Sequence, residues 1–275
     1  MKPMLAKKFQ DQGHNLTYPL FVQPKLNGIR AIYNQNQFQS RDEHFYNEPT
    51  VAHLATELSD LPANIILDGE FYVHGWPLQK INGAISVNRL LPTASTTSVQ
   101  YHVFDCIDAN DITLPFSERH ALLLRLRAIS SALRVHLVDT HEVHSPAEAD
   151  HFFSTFKSLD YEGMMYRDNV PYGILDYCTN KENRWPILLK RKDWLDEDCE
   201  ILDVNLGEGK YSECVGSLTL RFPNGQVFRA GSGLSDMQRH TYMDSPPIGL
   251  FAKIKYEMLS SSSVPLKPTI EAILD

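Results

Sequence analysis

Long apolar runs are missing from this sequence. Nothing approaches the roughly 20 consecutive apolar residues of a membrane-spanning helix, and Met1 to Gly13 is too polar for a secretory leader. These absences leave the cytoplasm as the expected location and no membrane as a partner. Cysteine is scarce, and Cys106, Cys178, Cys199 and Cys214 form no C-x-x-C pair. That excludes a zinc module or disulfide framework and points to buried, reduced thiols. Basic residues are outnumbered, 26 Lys and Arg against 34 Asp and Glu, a net charge of −8. A chain that neutralises phosphates needs clustered cations, so a nucleic-acid partner would have to rely on local runs such as Lys7-Lys8, Arg119 to Arg134, Lys190-Arg191-Lys192 or Lys253 to Lys255. No internal repeat is visible. What is present, 275 residues with 43% hydrophobic content, suffices for one large or two modest domains.

The texture changes along the chain. Up to about residue 193, extended stretches ("LFVQ", "IRAIYN", "NIILDGEFYV") alternate with helical ones ("EPTVAHLATELSDL", "SERHALLLRLRAIS"), an α+β pattern. From Cys199 onward strands and turns take over, with "CEILDVNL", "GSLTLRF", the Asn224-Gly225 hairpin signal, "QVFRAGSG" and "GLFAKIKYEML". This predicts a small β-barrel. The acidic stretch Asp193 to Glu200 is the expected hinge between the two parts.

Five short stretches carry groups suited to phosphoryl or nucleotidyl transfer. "FVQPKLNGIR" sets Lys25 after a strand and before a glycine turn, with Gln23 and Arg30 nearby. "ILDGEFY" offers Glu70, placed to hold a metal or a ribose, although Asp-Gly is also an ordinary turn. In "YHVFDCID" Phe104 breaks the strand alternation and is either a stacking platform for a purine or a core residue. "YEGMMYRD" carries Glu162 and Arg167, and "ILLKRK" puts Lys190 and Lys192 on one face of a strand by its period of two. A solvated edge strand would look the same. "HEVH" at His141 to His144 lacks a third metal ligand nearby and is read as a loop or helix-start surface.

The ordered set, from "MLAKKF" through "PFSERHALL" to the β-rich end, resembles the covalent nucleotidyltransferases, and most closely the small two-domain ATP-dependent DNA ligases of viruses, phages and bacteria. The resemblance implies an adenylation domain over residues 1–193, built of antiparallel sheets with flanking helices, and an OB-fold β-barrel over 194–275. It implies that Lys25 attacks the α-phosphorus of ATP, with Lys190 and Lys192 assisting. Arg30 and Glu70 would contact the ribose, Phe104 would stack on adenine and Gln23 would contact the base. Glu70 and Glu162 would hold Mg²⁺ or Mn²⁺, and Arg41 in "QSRD", with Lys192, would grip the 5′-phosphate of nicked duplex DNA. The short segment before Lys25 implies ATP rather than NAD⁺. A monomer with no obligate protein partner is expected.

The chain departs from the family pattern at three points. Asn27 stands where the lysine motif usually has aspartate. Leu266, in "VPLKPTIEAILD", replaces an expected arginine, and Lys267 beside it lacks the planar fork of arginine. The acidic charge implies weak, salt-sensitive DNA binding unless Lys210, Arg221, Arg229, Lys253 and Lys255 form a basic face. An RNA ligase, a capping guanylyltransferase or a non-catalytic nick-binding protein are the alternative readings.

Overall fold

The computed structural model describes residues 3–12, 16–129, 132–173, 188–260 and 262–274, with residues 11, 12 and 127–129 as backbone only. The chain divides into two compact units, Met1–Arg191 and Lys192–Asp275.

The first unit holds two five-stranded sheets. One has the order β1 (Lys7–Lys8), β10 (Leu188–Lys192), β9 (Gly163–Arg167), β2 (Leu20–Lys25), β8 (His141–Val143). The other runs β4 (Gln37–Ser40), β3 (Ile29–Asn34), β5 (Ile65–Tyr72), β6 (Gln100–Asp108), β7 (Val135–Leu137). Helices α1 (Phe9–Gln12), α2 (Glu48–Glu57), α3 (Leu78–Ala84), α4 (Phe116–Ile129) and α5 (Pro146–Ser158) fill the intervals. The α+β organisation expected from the sequence is present.

Alternation explains how the second sheet finds its core. Tyr33, Phe38, Phe71 and Tyr101 lie on one face, their rings 4.7 to 5.8 Å apart, and α2 adds Val51 and Leu54 to the same cluster. Each such buried side chain contributes about 1.5–3 kcal/mol relative to exposure. The first sheet packs Leu20, Val22, Met164 and Tyr166 with Phe153 and Phe156 of α5. That helix starts at Ser145, whose hydroxyl accepts from the Glu148 N–H, as an N-cap serine should.

The "HEVH" stretch departs from expectation. His141–Val143 is strand β8, paired with β2, and the His141 ring stacks on Phe152 at 4.2 Å. Among the described residues no group of three or more His, Cys, Asp or Glu is arranged to hold a metal. Cys106, Cys199 and Cys214 are buried free thiols; Cys178 lies outside the described residues. No described helix is long and apolar enough to cross a membrane.

The second unit is one five-stranded sheet, in the order β13 (Val227–Ala230), β12 (Val215–Arg221), β11 (Leu195–Leu206), β14 (Phe251–Tyr256), β15 (Thr269–Leu274). Helix α6 (Asp236–Asp244) begins with a Ser235/Gln238 capping box. The Asn224-Gly225 turn joins β12 to β13, with Gly225 at φ 86°. The closed barrel expected from the sequence needs correction in one respect. Among the described residues the strands form an open sheet, with an isolated Ser232–Thr269 bridge between the chain after β13 and β15. The acidic hinge needs correction too. Residues 195–200 belong to β11, where Asp196 and Asp198 lie opposite Lys255 and Lys253 while Cys199 and Ile201 turn inward. Asp196, Asp198 and Glu200 of the acidic run lie on the outer face of a central strand.

Candidate active site

Lys25 ends β2, where the chain leaves the sheet for the Leu26-Asn27-Gly28 turn. β9 pairs with β2 so that Lys25 faces Gly163, and the Glu162 N–H donates to the Lys25 carbonyl at 3.1 Å. That register brings Glu162 to Lys25. Its carboxylate accepts from Lys25 Nζ, which also donates to the Leu26 carbonyl at 3.2 Å. Both side chains are mostly buried.

Glu70 reaches the same place from β5. Its Oε1 accepts from the Gly28 N–H at 2.6 Å. A side chain at position 28 would put its Cβ 2.3 Å from the Phe71 carbonyl and 2.9 Å from Glu70 Cγ, so only glycine lets the turn approach this closely. Burial pushes the Glu70 carboxyl up to about 7. Lys25 and the Gly28 N–H pull against that rise, and the charge of Glu162 adds to it.

Arg30, Glu70, His102 and His136 occupy successive cross-strand positions on β3, β5, β6 and β7, and directly paired residues share a face. Burial, with His136 and His74, pushes His102 down to about 3. The imidazole beside Glu70 is therefore neutral at physiological pH.

Arg30 is held from below. Its guanidinium makes a two-pronged pair with Asp68, with Nε 2.8 Å from Oδ1, and a third N–H donates to the Met4 carbonyl at 2.7 Å. Asp68 is fully buried and also accepts from the Tyr172 hydroxyl at 2.6 Å. Burial alone would lower the Arg30 pKa, but Asp68 beside it raises it above the ordinary value.

Phe104 owes its position to an irregularity. Asp68 pairs with Asp105 and Gly69 with Val103, so Phe104 is the extra residue of a β-bulge, a device that re-aims a side chain. This is the break in alternation seen in the sequence. The guanidinium carbons of Arg30 and Arg167 lie 5.1 and 5.3 Å from the ring centroid, within cation–π range.

The remaining expected residues fall in three places. Gln23 is 1% exposed, with its amide bonded to Phe104, Thr140 and Arg167. Arg41 is exposed beside Asp42 and lines a shallow depression of about 480 Å³ with Gly28, Arg30, Gln79 and Asn82. Lys190 sits on β10 opposite Lys8. Lys192 belongs to the second unit, where it pairs with Glu257 at 3.3 Å, and Lys267 pairs with the same carboxylate at 2.8 Å. Burial would raise Glu257, but these two lysines hold it below the ordinary carboxylate range. Lys267 adopts φ 52°, a conformation uncommon outside glycine. Leu266 is tied by its backbone to Glu257 and Met258.

Sequence reasoning did not single out Asp68, Asp105, Arg119, Thr140 or Tyr172. The available signal was a lone carboxylate inside an apolar strand, at Asp68 and Asp105, which must find a partner if buried.

A family model described as "ATP dependent DNA ligase domain" matches residues 3–185, and one described as "DNA ligase OB-like domain" matches 206–273. The chain belongs to the ATP-dependent DNA ligases. Among curated relatives of this chain, the DNA ligase of African swine fever virus is 27% identical over 246 residues, covering 82% of this chain and 55% of the viral one. The chain thus spans about half the length of those viral relatives. A Haemophilus influenzae DNA ligase is 24% identical over 242 residues, with 88% and 81% covered. Two solved structures share the ligase fold. A Lig E DNA ligase superposes with a TM-score of 0.81 at 20% identity and 99% coverage of each chain. Chlorella virus DNA ligase-adenylate gives 0.57 at 24% identity, covering 100% of this chain and 98% of that one. The two family models thus match a nucleotidyltransferase domain and an OB-like domain in this chain.

Proposed function

We propose that this chain seals 5′-phosphate/3′-hydroxyl nicks in duplex DNA using ATP, through a lysyl-AMP and then an adenylated DNA, with residues 1–193 as adenylation domain and 194–275 as OB-fold domain. The observation that carries the reading is Lys25 Nζ at the end of β2, clasped by Glu162, with Glu70 close enough for its charge state to respond to both. A lysine that serves only to solvate a turn has no need of two buried carboxylates.

For Lys25 to react, its ammonium must leave Glu162 and lose a proton. The Nζ lone pair then forms a bond to the α-phosphorus of ATP as the bond to the pyrophosphate oxygen breaks. Mg²⁺ keeps several waters and is held by one or two carboxylates together with substrate phosphates. Glu70 and Glu162 fit that donor set, and Mg²⁺ or Mn²⁺ bound there would neutralise phosphate charge. Arg30, rigid on Asp68, presents its exposed edge beside Glu70 for the ribose. Phe104 supplies the aromatic face for adenine. Lys190, and by family resemblance Lys192, supply positive charge to the phosphates, and Arg41 is assigned to the 5′-phosphate of the nick. AMP passes from Lys25 to that phosphate, and the 3′-hydroxyl displaces it.

The test is a nicked duplex with a 5′-phosphate, incubated with protein, ATP and Mg²⁺. Sealed product is expected, and none from the matching 5′-hydroxyl nick. Absence of sealing with both an ordinary and a chemically pre-adenylated nick would overturn the reading.

A further inference from the structure

Among the described residues the two sheets of the first unit share no ladder. β2, with Lys25, and β9, behind Glu162, are in one, whereas β6, with Phe104, is in the other. Backbone joins the two sheets directly at the short Leu26-Asn27-Gly28 connection from β2 to β3, and side chains add to that link in setting the gap between the nucleophile and the aromatic ring. One buried chain of polar groups spans it.

Arg167 on β9 donates from Nε to Gln23 Oε1 at 2.7 Å and from a terminal nitrogen to Asp105 Oδ2 at 2.7 Å. Arg119 of α4 takes the rest of the Asp105 carboxylate, at 2.8 and 3.0 Å, and ties itself to the carbonyls of Leu114 and Val170. Gln23 Nε2 donates to the Phe104 carbonyl at 3.0 Å and to Thr140 Oγ1 at 2.9 Å. Asp105 is 0% exposed, and Arg119 and Arg167 are 3% and 4% exposed.

The amide of Gln23 has only one way round. A guanidinium can only donate, so the oxygen must face Arg167, which leaves the NH₂ group to face the Phe104 carbonyl. That carbonyl belongs to the bulge residue, left unpaired in the ladder. Two arginines on one buried aspartate are not needed for stability, because apolar side chains of similar volume do as well or better. What such a network adds is fixed geometry.

We propose that Gln23, Arg167, Asp105 and Arg119 form a cross-sheet brace that positions the Phe104 ring relative to Lys25. This rests on the reading of Phe104 as the adenine platform. The brace reaches the nucleophile through β2, two residues from Lys25, and the platform through the bulge carbonyl.

The test compares equilibrium binding of ATP with that of ribose 5′-triphosphate, which lacks the base, in wild type and in Gln23→Glu, Arg167→Lys and Thr140→Val, with thermal melts alongside. Gln23→Glu keeps an acceptor for Arg167 but has no donor for the Phe104 carbonyl. It and Arg167→Lys are expected to weaken ATP about tenfold, the scale of one lost buried hydrogen bond, while ribose triphosphate binding stays within about twofold. Thr140→Val removes one contact of the same amide and, as the mildest change, keeps the comparison available if the others fold poorly. It should lower ATP binding about threefold in the same selective way. A wild type with no preference for ATP over ribose triphosphate, variants that lose both ligands equally, or variants that lose neither, would overturn the brace. Lysyl-AMP formation by wild type is measured in parallel. Its absence would count against the proposed function without altering the binding comparison.

Discussion

A buried set of ion pairs in the first unit contrasts with an exposed set in the second. In the first, Arg119, Arg167 and Asp105 pair at 2.7 to 2.8 Å with 0 to 4% exposure. In the second, Lys253–Asp196, Lys255–Glu271 and Arg221–Glu200 pair at 3.1 to 3.3 Å with every partner more than a third exposed. The bonds are chemically alike, but water decides what they do. Exposed pairs are screened and contribute little. A buried pair fixes geometry, and its loss leaves a charge stranded. The ladder of opposite charges in the second unit also bears on DNA. Lys210, Arg221, Lys253 and Lys255, expected as a basic face, each sit on a carboxylate, in a unit with eight Lys and Arg against thirteen Asp and Glu. Phosphates would have to displace those carboxylates.

The comparison is broken most directly at Asp105. Asp105→Ala strands two buried guanidinium groups and should cost about 3–5 kcal/mol in chemical denaturation. Asp196→Ala, read the same way, should leave the midpoint within experimental scatter. Equal losses would dissolve the distinction between the units. A second test uses the carboxyl of Glu70. A folded-state pKa of about 7 against an ordinary value of 4.5 means the folded protein binds a proton that the unfolded chain releases. Its stability contribution is full below pH 4.5 and is lost as pH rises through 7. Unliganded protein should therefore lose about 3 kcal/mol over that window, and Glu70→Gln should abolish the slope while impairing adenylation. The smallest effect is expected at Glu257, whose carboxyl is depressed by Lys267 and Lys192. There the contribution is present above pH 4.5 and lost as pH falls below it, so Glu257→Gln should differ from wild type at neutral pH and converge with it in acid. The same difference at both pH values would remove the charge argument.

Elements with local signals were legible in the sequence. The Asn224-Gly225 turn, the strands around Arg30 and Glu70, and the helix beginning in "PFSERHALL" all appear where their residues place them. Even the irregularity at Phe104 was visible as broken alternation. What was hidden depends on partners distant in sequence. Arg30 meets Asp68 across 38 positions and Arg167 meets Asp105 across 62, so each charge in isolation reads as a turn or a solvated rim. The acidic run from Asp193 misled for the complementary reason, since its partners Lys253 and Lys255 lie on β14. Gln23 was legible as a residue near Lys25, whereas its hydrogen bonds to Phe104, Thr140 and Arg167, 81, 117 and 144 positions away, were not.

The central claim is that Lys25 becomes covalently adenylated. Intact-mass measurement of the protein after incubation with ATP and Mg²⁺, followed by peptide mapping, addresses it without requiring DNA. A single added AMP is expected on the peptide containing Lys25, absent from Lys25→Ala and not formed from GTP or NAD⁺. An unmodified protein, or AMP on any other residue, would contradict it.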